Sequence, residues 1–297
     1  MSVEKRSKDV TIDSFEIKRV LGKGCAGKVL LVKLRGTDEH FALKAITKRH
    51  VLAHRELDHT RAEQSILKIC ARDKSNPFVV RLHYSFHDQD TLYLALDFHP
   101  GGDLATQLCR WGRLGRDRAR FYMCEMVEGV EGLHRAGIIY RDLKPENVLI
   151  SAEGHIVLTD FGLSKDFGHA RTATTFCGTA EYLAPEVLLG EPYSYEVDAW
   201  SAGTMLYEML VGVTPFYAED HSKSRFSLLF PLKTPLQHPV FDDDTKSFIR
   251  GLLQKNPLLR MTDARIKAHP YFKMLEWSHV YHQRYVPPFV PRLNPHD

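Results

Sequence analysis

The chain has 297 residues, of which 43% are hydrophobic and 26% charged, and a formal net charge of +3. That length and balance suit one large domain or two lobes sharing a core, and exclude a chain too polar to fold. The charge is too small to argue for nucleic acid or a membrane surface as partner, and no apolar run approaches the roughly 18 residues of a membrane span.

The five cysteines, Cys25, Cys70, Cys109, Cys124 and Cys177, are scattered and form no C-x-x-C. This argues against a zinc site or a disulfide framework and for reduced thiols. The first ten residues are polar and charged, unlike a signal peptide. The expected location is cytoplasmic, nuclear or both.

In chain order, residues 15–21 and 28–33 are short β-like runs joined by Gly22-Lys23-Gly24-Cys25-Ala26-Gly27-Lys28-Val29. This fits G-x-G-x-x-G-x-V, in which glycines let backbone N–H groups approach phosphate oxygens. A plain hairpin turn is the alternative, but strand-like sequence after the glycines favours a flap over phosphates rather than a dinucleotide-type helix start. Residues 40–46 alternate with period two, placing Phe41, Leu43 and Ala45 on one face and Ala42, Lys44 and Ile46 on the other. A strand lysine among apolar residues either points to solvent or needs an anionic partner. Residues 59–70 suit a helix whose inward face carries Glu63, Leu67 and Cys70, and Glu63 can be that partner. Strand-like runs follow at 79–86 and 92–97.

His99-Pro-Gly-Gly-Asp103 breaks the pattern with turn chemistry. Beyond it the sequence is helical: Met123, Met126, Val127, Val130 and Leu133 recur at helical spacing, and Gly137 suits the end of that helix. Residues 197–211 are apolar nearly all round, which predicts a buried helix. The proline-rich residues 281–297 are expected to be extended and on the surface. The fold class is therefore α+β and bilobal, with a small β-rich lobe, a hinge, a larger helical lobe and a ligand crevice between them.

The strongest chemical signal is Tyr140-Arg-Asp-Leu-Lys-Pro-Glu-Asn147 followed by Asp160-Phe-Gly162. Phosphoryl transfer needs metal ions, an in-line nucleophile and spread positive charge. Asn147 and Asp160 offer oxygen ligands for Mg²⁺. Asp142 can take the proton of a substrate hydroxyl, and Lys144 can neutralise charge on the moving group. Singly each residue could be a cap or a turn former; the ordered set points to catalysis.

From Phe15 to about Phe272 the chain resembles the eukaryotic protein kinase family, with the signature motifs in order. It is most similar to the AGC group. The closer match rests on Tyr140, the segment from Cys177 to Glu186, His59-Thr60, and Val286-Pro-Pro-Phe-Val-Pro291. The resemblance implies a catalytic domain over residues 15–272, with small lobe 15–96, hinge 97–103 and large lobe 104–272. Residues 273–297 would then begin a C-terminal tail that is truncated, lacking the group's acidic-aromatic element and hydrophobic motif, which normally docks on the small lobe.

The resemblance further implies ATP and Mg²⁺ as cofactors. The nucleotide would be held by Leu21, Gly22, Lys23, Gly24, Cys25, Ala26, Gly27, Val29, Ala42, Lys44, Leu96, Asp97, His99, Asp103, Glu146, Asn147, Leu149 and Asp160, with Lys44, Glu63, Asp142 and Lys144 as the catalytic set. Leu96 would be the gatekeeper, and Val29, Ala42 and Leu149 the adenine sandwich. Tyr140, Phe161, Leu67 and Leu82 would be the stack joining the lobes. Glu186 is expected to pair with Arg260, and Asp198 to brace the catalytic loop.

Lys144 and Thr179 match the serine/threonine type. Asp103, Glu146 and Glu208 fall where relatives read arginines, which implies protein substrates with basic residues before the target. Thr175 is the expected activation-loop phosphosite, acted on by an upstream kinase, with Thr174 as the competing site and Arg141, Lys165 and His59 as candidate phosphate partners. Ala26 and Cys25 depart from the usual glycine-loop residues, and residues 217–240 follow the family loosely. A nucleotide-binding pseudokinase or docking scaffold is the alternative reading, set against the presence of Lys44, Asp142, Asn147 and Asp160.

Overall fold

The computed structural model describes residues 3, 7, 9–24, 27–54, 56–72, 76–168, 172–216 and 239–292. The small lobe is built on five antiparallel strands: β1 (Phe15–Gly24), β2 (Gly27–Leu34), β3 (His40–Thr47), β4 (Leu82–His87) and β5 (Thr91–Asp97). Their order is β1-β2-β3-β5-β4. The alternation of β3 works as its sequence predicts. Phe41 and Leu43 enter a core with Phe15, Val32, Tyr93 and Ala95, while Ile46, on the opposite face, joins the main core of the molecule. Lys44 shares the face of Ile46 and so points toward the large lobe. The β1–β2 pairing slips between Ile17 and Arg19 and again between Val20 and Gly22; such bulges bend a strand.

Between β3 and β4 lie α1 (Lys48–Ala53) and α2 (Leu57–Arg72). The buried residues of α2 are Glu63, Ile66 and Leu67, and Cys70 packs against the same core. The strand expected from residue 79 starts only at Leu82. The preceding residues pair instead with the large lobe: the Val80 N–H donates to the Leu158 carbonyl at 3.0 Å, and the Leu158 N–H to the Phe78 carbonyl at 2.8 Å. Backbone that looked like strand in the sequence thus ties the two lobes together.

The large lobe contains α3 (Leu104–Trp111), α4 (Arg116–Arg135), α5 (Pro185–Leu189), α6 (Glu196–Val211), α7 (Asp243–Leu252), α8 (Asp263–Lys267) and α9 (Trp277–Tyr281). Two short antiparallel pairs complete it: β6 (Ile138–Ile139) with β9 (Lys165–Asp166), and β7 (Val148–Ile150) with β8 (Ile156–Leu158). Helix α6 is buried along almost its whole length, as its apolar sequence predicts. Gly137 follows the end of α4 with φ at +79°, the left-handed turn that glycine permits. The hinge is stitched to β7: the Gly101 N–H donates to the Ile150 carbonyl at 3.1 Å, and the Ile150 N–H to the Gly102 carbonyl at 2.8 Å.

The proline-rich tail runs back toward this hinge. The Arg118 guanidinium of α4 lies 4.1 Å from the centre of the Phe289 ring, and a Cβ at Gly154 would strike the Phe289 carbonyl. Among the described residues no helix is long and apolar enough to cross a membrane. The architecture is the two-lobed α+β fold expected from the sequence, with its crevice walled by both lobes.

Candidate active site

A cleft of about 360 Å³ opens between the lobes. Its walls include Leu21, Gly22, Val29, Ala42, Leu96 and Leu149; its hinge side has Asp97, His99 and Asp103; Lys44, Glu63, Asn147 and Asp160 supply its remaining polar groups, and the exposed Glu146 also lines it. Lys23, Gly24 and Gly27, which the glycine motif had placed on the nucleotide, do not line it. A Cβ at Gly27 would collide with the Ala45 carbonyl, so there the glycine serves the close passage of β2 over β3. A Cβ at Gly22 would meet nothing within 4 Å. Cys25 and Ala26 lie outside the described residues, as does most of 217–240. The cleft also takes in Val80, Phe98, Gly102 and Thr159. Phe98 and Gly102 follow from the hinge assignment; Val80 and Thr159 belong to no motif and carry no sequence signal.

On the small-lobe side the Lys44 ammonium donates to Glu63 Oε1 at 2.6 Å and Asp160 Oδ1 at 3.2 Å. Burial disfavours the Lys44 charge, but the two carboxylates outweigh it and hold its pKa above the ordinary lysine value. Asp160 is likewise disfavoured as an anion by burial, and Lys44 outweighs this and keeps its carboxyl below the usual range. Asp160 has a φ of +58° and Arg141 one of +67°. These left-handed conformations are unusual for non-glycine residues and cluster where a backbone must aim functional groups.

On the large-lobe side Asp142 is 7% exposed. Lys144 Nζ lies 2.9 Å from Asp142 Oδ2 and donates to Thr179 Oγ1 at 3.0 Å. Asn147 Nδ2 donates to Asp142 Oδ2 at 2.7 Å and to its carbonyl at 2.8 Å, which leaves the Asn147 side-chain oxygen for another partner. Burial raises the Asp142 pKa, opposed by Lys144 and Asn147.

This loop rests on Asp198 of α6, which is fully buried. Its carboxylate accepts the Tyr140 N–H at 2.9 Å and the Arg141 N–H at 2.8 Å. His134, which no sequence motif singled out, lies 2.8 Å from Asp198 through Nε2 and 2.8 Å from Asp263 through Nδ1. Burial works against its charge, but hydrogen bonds to the two carboxylates overcome that and raise its pKa to about 9. Tyr140 and Phe161 meet edge to face at 5.4 Å. Together with Leu67 and Leu82 they are buried in the one core that spans the lobes, and the Tyr140 hydroxyl donates to the Thr159 carbonyl.

Arg260 and Glu186 form the expected pair, at 2.6 and 2.9 Å. Thr175 is exposed; the Tyr193 hydroxyl donates to its carbonyl at 2.7 Å and accepts from Arg141 Nη1 at 3.0 Å. Asp103 both lines the cleft and caps α3, accepting the Thr106 N–H at 2.6 Å. Glu208 accepts the Tyr182 hydroxyl at 2.5 Å. Burial pushes the Glu208 carboxyl up; Tyr182 draws it back, and the neighbouring Glu146 and Glu181 push it further up.

A family model of the protein kinase domain matches residues 15–272. The chain is 42% identical over 293 residues to a RAC family serine/threonine-protein kinase homolog of Dictyostelium discoideum, covering 97% of this chain and 64% of that protein. It is 42% identical over 294 residues to serine/threonine-protein kinase YPK1 of Saccharomyces cerevisiae, covering 97% and 42%. To human serine/threonine-protein kinase Sgk2 it is 42% identical over 285 residues, covering 94% and 76%. The chain thus spans less than two thirds of the length of the Dictyostelium and yeast relatives. With these matches and the two-lobed cleft, the chain belongs to the protein kinase family, in its AGC group.

Proposed function

We propose that the chain transfers the γ-phosphate of ATP to serine or threonine hydroxyls of protein substrates. The observation that carries this reading is the pairing across the cleft: Lys44 held by Glu63 and Asp160 on one side, Asp142 held by Lys144 and Asn147 on the other. The cleft suits the nucleotide chemically, with apolar walls for a base and a lysine for phosphates. Asp160 and the free oxygen of Asn147 are hard ligands suited to Mg²⁺, which supplies charge neutralisation to the phosphates when bound.

Lys44, fixed by Glu63, holds the phosphates in place. The Asp142 carboxylate accepts the proton of the substrate hydroxyl as its oxygen bonds to the γ-phosphorus, and the bond to the β-phosphate oxygen breaks. Lys144 offsets charge on the group in flight. Protein kinases generally use ATP and Mg²⁺, and the donor set here supports the same pair. The decisive test compares the chain with Asp142→Asn in radiolabelled ATP turnover on a basic peptide. A loss of about 10²-fold or more is expected on removing a positioned base, and equal signal in both would reject the enzyme reading in favour of a nucleotide-binding scaffold.

Two finer features belong to the same proposal. Glu146 and Glu208, two of the three acids expected to read basic residues, are joined by Glu181 in an acidic surface that selects targets preceded by basic residues, while Asp103, the third, lines the cleft and caps α3. Thr175 is the control site for an upstream kinase: it is exposed, and Tyr193 joins its backbone to Arg141. A phosphate there adds roughly −1.5 to −2 charge beside that cation. Thr175→Ala is expected to lose most turnover; full activity in a mutant shown by mass spectrometry to carry no phosphate would exclude this role.

A further inference from the structure

We propose that Val3 and Ser7, which precede the kinase domain, are positioning residues for the transfer: they buttress α2, the helix that carries Glu63. Val3 is 5% exposed and belongs to the main buried core with Val51 of α1 and Ile66 and Leu67 of α2. A valine twelve positions ahead of β1 has no reason within the sheet to be so buried. Ser7 makes the polar half of the contact. Its hydroxyl donates to the Val3 carbonyl at 2.8 Å and accepts the Ser85 N–H at 2.9 Å.

Ser85 lies on β4, the edge of the five-stranded sheet. An edge strand has N–H groups without strand partners, and Ser7 satisfies this one. The Ser85 hydroxyl in turn receives Gln64 Nε2 at 2.6 Å, and Gln64 directly follows Glu63 on α2. Two hydrogen bonds therefore run from Ser7 through the sheet edge to the residue beside Glu63, and a third ties Ser7 to Val3. Val3 adds a buried apolar side chain to the core that α2 shares, and Ser7 adds a polar tie through Ser85 to the helix that carries the 2.6 Å pair of Glu63 with Lys44. The segment's effect is on the population of α2 in the paired position, and it touches neither nucleotide nor substrate.

This inference rests on the reading that the Lys44–Glu63 pair serves phosphoryl transfer, and its test separates the two. In the full chain, Val3→Asp puts a carboxylate into the apolar core that Val3 fills and so displaces it; Ser7→Ala removes both hydroxyl bonds and keeps Val3; Val3→Ile keeps the apolar side chain. Steady-state kcat and KM for ATP are read on a basic peptide, with amide hydrogen exchange of α2 measured against α6. The expected result is a fall in kcat/KM for ATP of about tenfold in Val3→Asp, the scale of a typical coupling between sites. Ser7→Ala falls less, Val3→Ile stays near wild type, and exchange quickens in α2 while α6 keeps its protection. Unchanged kinetics in folded Val3→Asp and Ser7→Ala, or a lower melting temperature with unchanged kcat/KM and α2 exchange, overturns the proposal. If the unmodified chain turns nothing over, the enzyme reading fails, and α2 exchange alone still decides whether the segment holds the helix.

Discussion

His134 is where a single side chain sets the charge state of the catalytic scaffold. A buried imidazole between two carboxylates, each at 2.8 Å, offers an N–H to both only when protonated. With a folded pKa near 9 against about 6.5 in an unfolded chain, the sign is fixed: the protonated state adds stability that is complete below pH 6.5 and is lost as pH rises through 9. The linkage is on the order of 3 kcal/mol. Denaturant unfolding of the chain and of His134→Gln should therefore show a stability gap that narrows by about that amount between pH 6 and pH 10. A gap independent of pH would mean that His134 is neutral in the folded protein. Asp142, Asn147 and Asp160 could be read from the sequence because each sits in a local motif whose order carries the chemistry. His134 could not, since its partners lie 64 and 129 positions away and only the packing of α4 against α6 and α8 brings them together.

Between elements, the buried pair Glu186–Arg260 fastens α5 to the turn that follows α7. Its side chains are 1% and 0% exposed, and Arg260 also donates to the carbonyls of Gln254 at 2.9 Å and Glu196 at 3.0 Å. Replacing the arginine leaves a buried carboxylate and two carbonyls without their donor, a cost of about 3–5 kcal/mol. Urea unfolding of Arg260→Met should show a loss of that size, whereas a loss below about 1 kcal/mol would place the pair among exposed bridges of little consequence. The ladder of elements was legible where hydrophobic period was clean, as in β3 and α6. It was less so where backbone changes partner. Residues 78–80, Phe-Val-Val, are as strand-like in composition as any run of the sheet, yet their backbone hydrogen bonds go to Leu158 of the other lobe. The glycine motif was read as one phosphate flap, whereas Gly27 answers to the Ala45 carbonyl of the next strand.

Across the whole molecule, a net charge of +3 hides a local field of the opposite sign. Glu146, Glu181 and Glu208 come together on the face beside the catalytic loop, although Glu146 belongs to the loop itself, Glu181 to the segment before α5 and Glu208 to α6. Net charge could not reveal this; the family positions pointed to Glu146 and Glu208, and the folded arrangement adds Glu181 beside them, where like charges focus attraction on a basic partner. Burial and the two neighbouring glutamates raise the Glu208 carboxyl, with the Tyr182 hydroxyl opposing. Its proton is thus gained at higher pH than an ordinary glutamate's, and each proton gained removes attraction for an arginine. On the proposed preference for basic targets, KM for a basic peptide should rise as pH falls, beginning above the usual carboxylate range, and should also rise with salt. Glu208→Gln should raise that KM by about thirtyfold, the roughly 2 kcal/mol lower end for truncating one member of a desolvated charge pair, and should flatten both the pH and the salt dependence. KM for ATP should not move, because Glu208 does not line the nucleotide cleft. An unaltered peptide KM in Glu208→Gln would remove this carboxylate from recognition and leave it as the acceptor that fixes Tyr182.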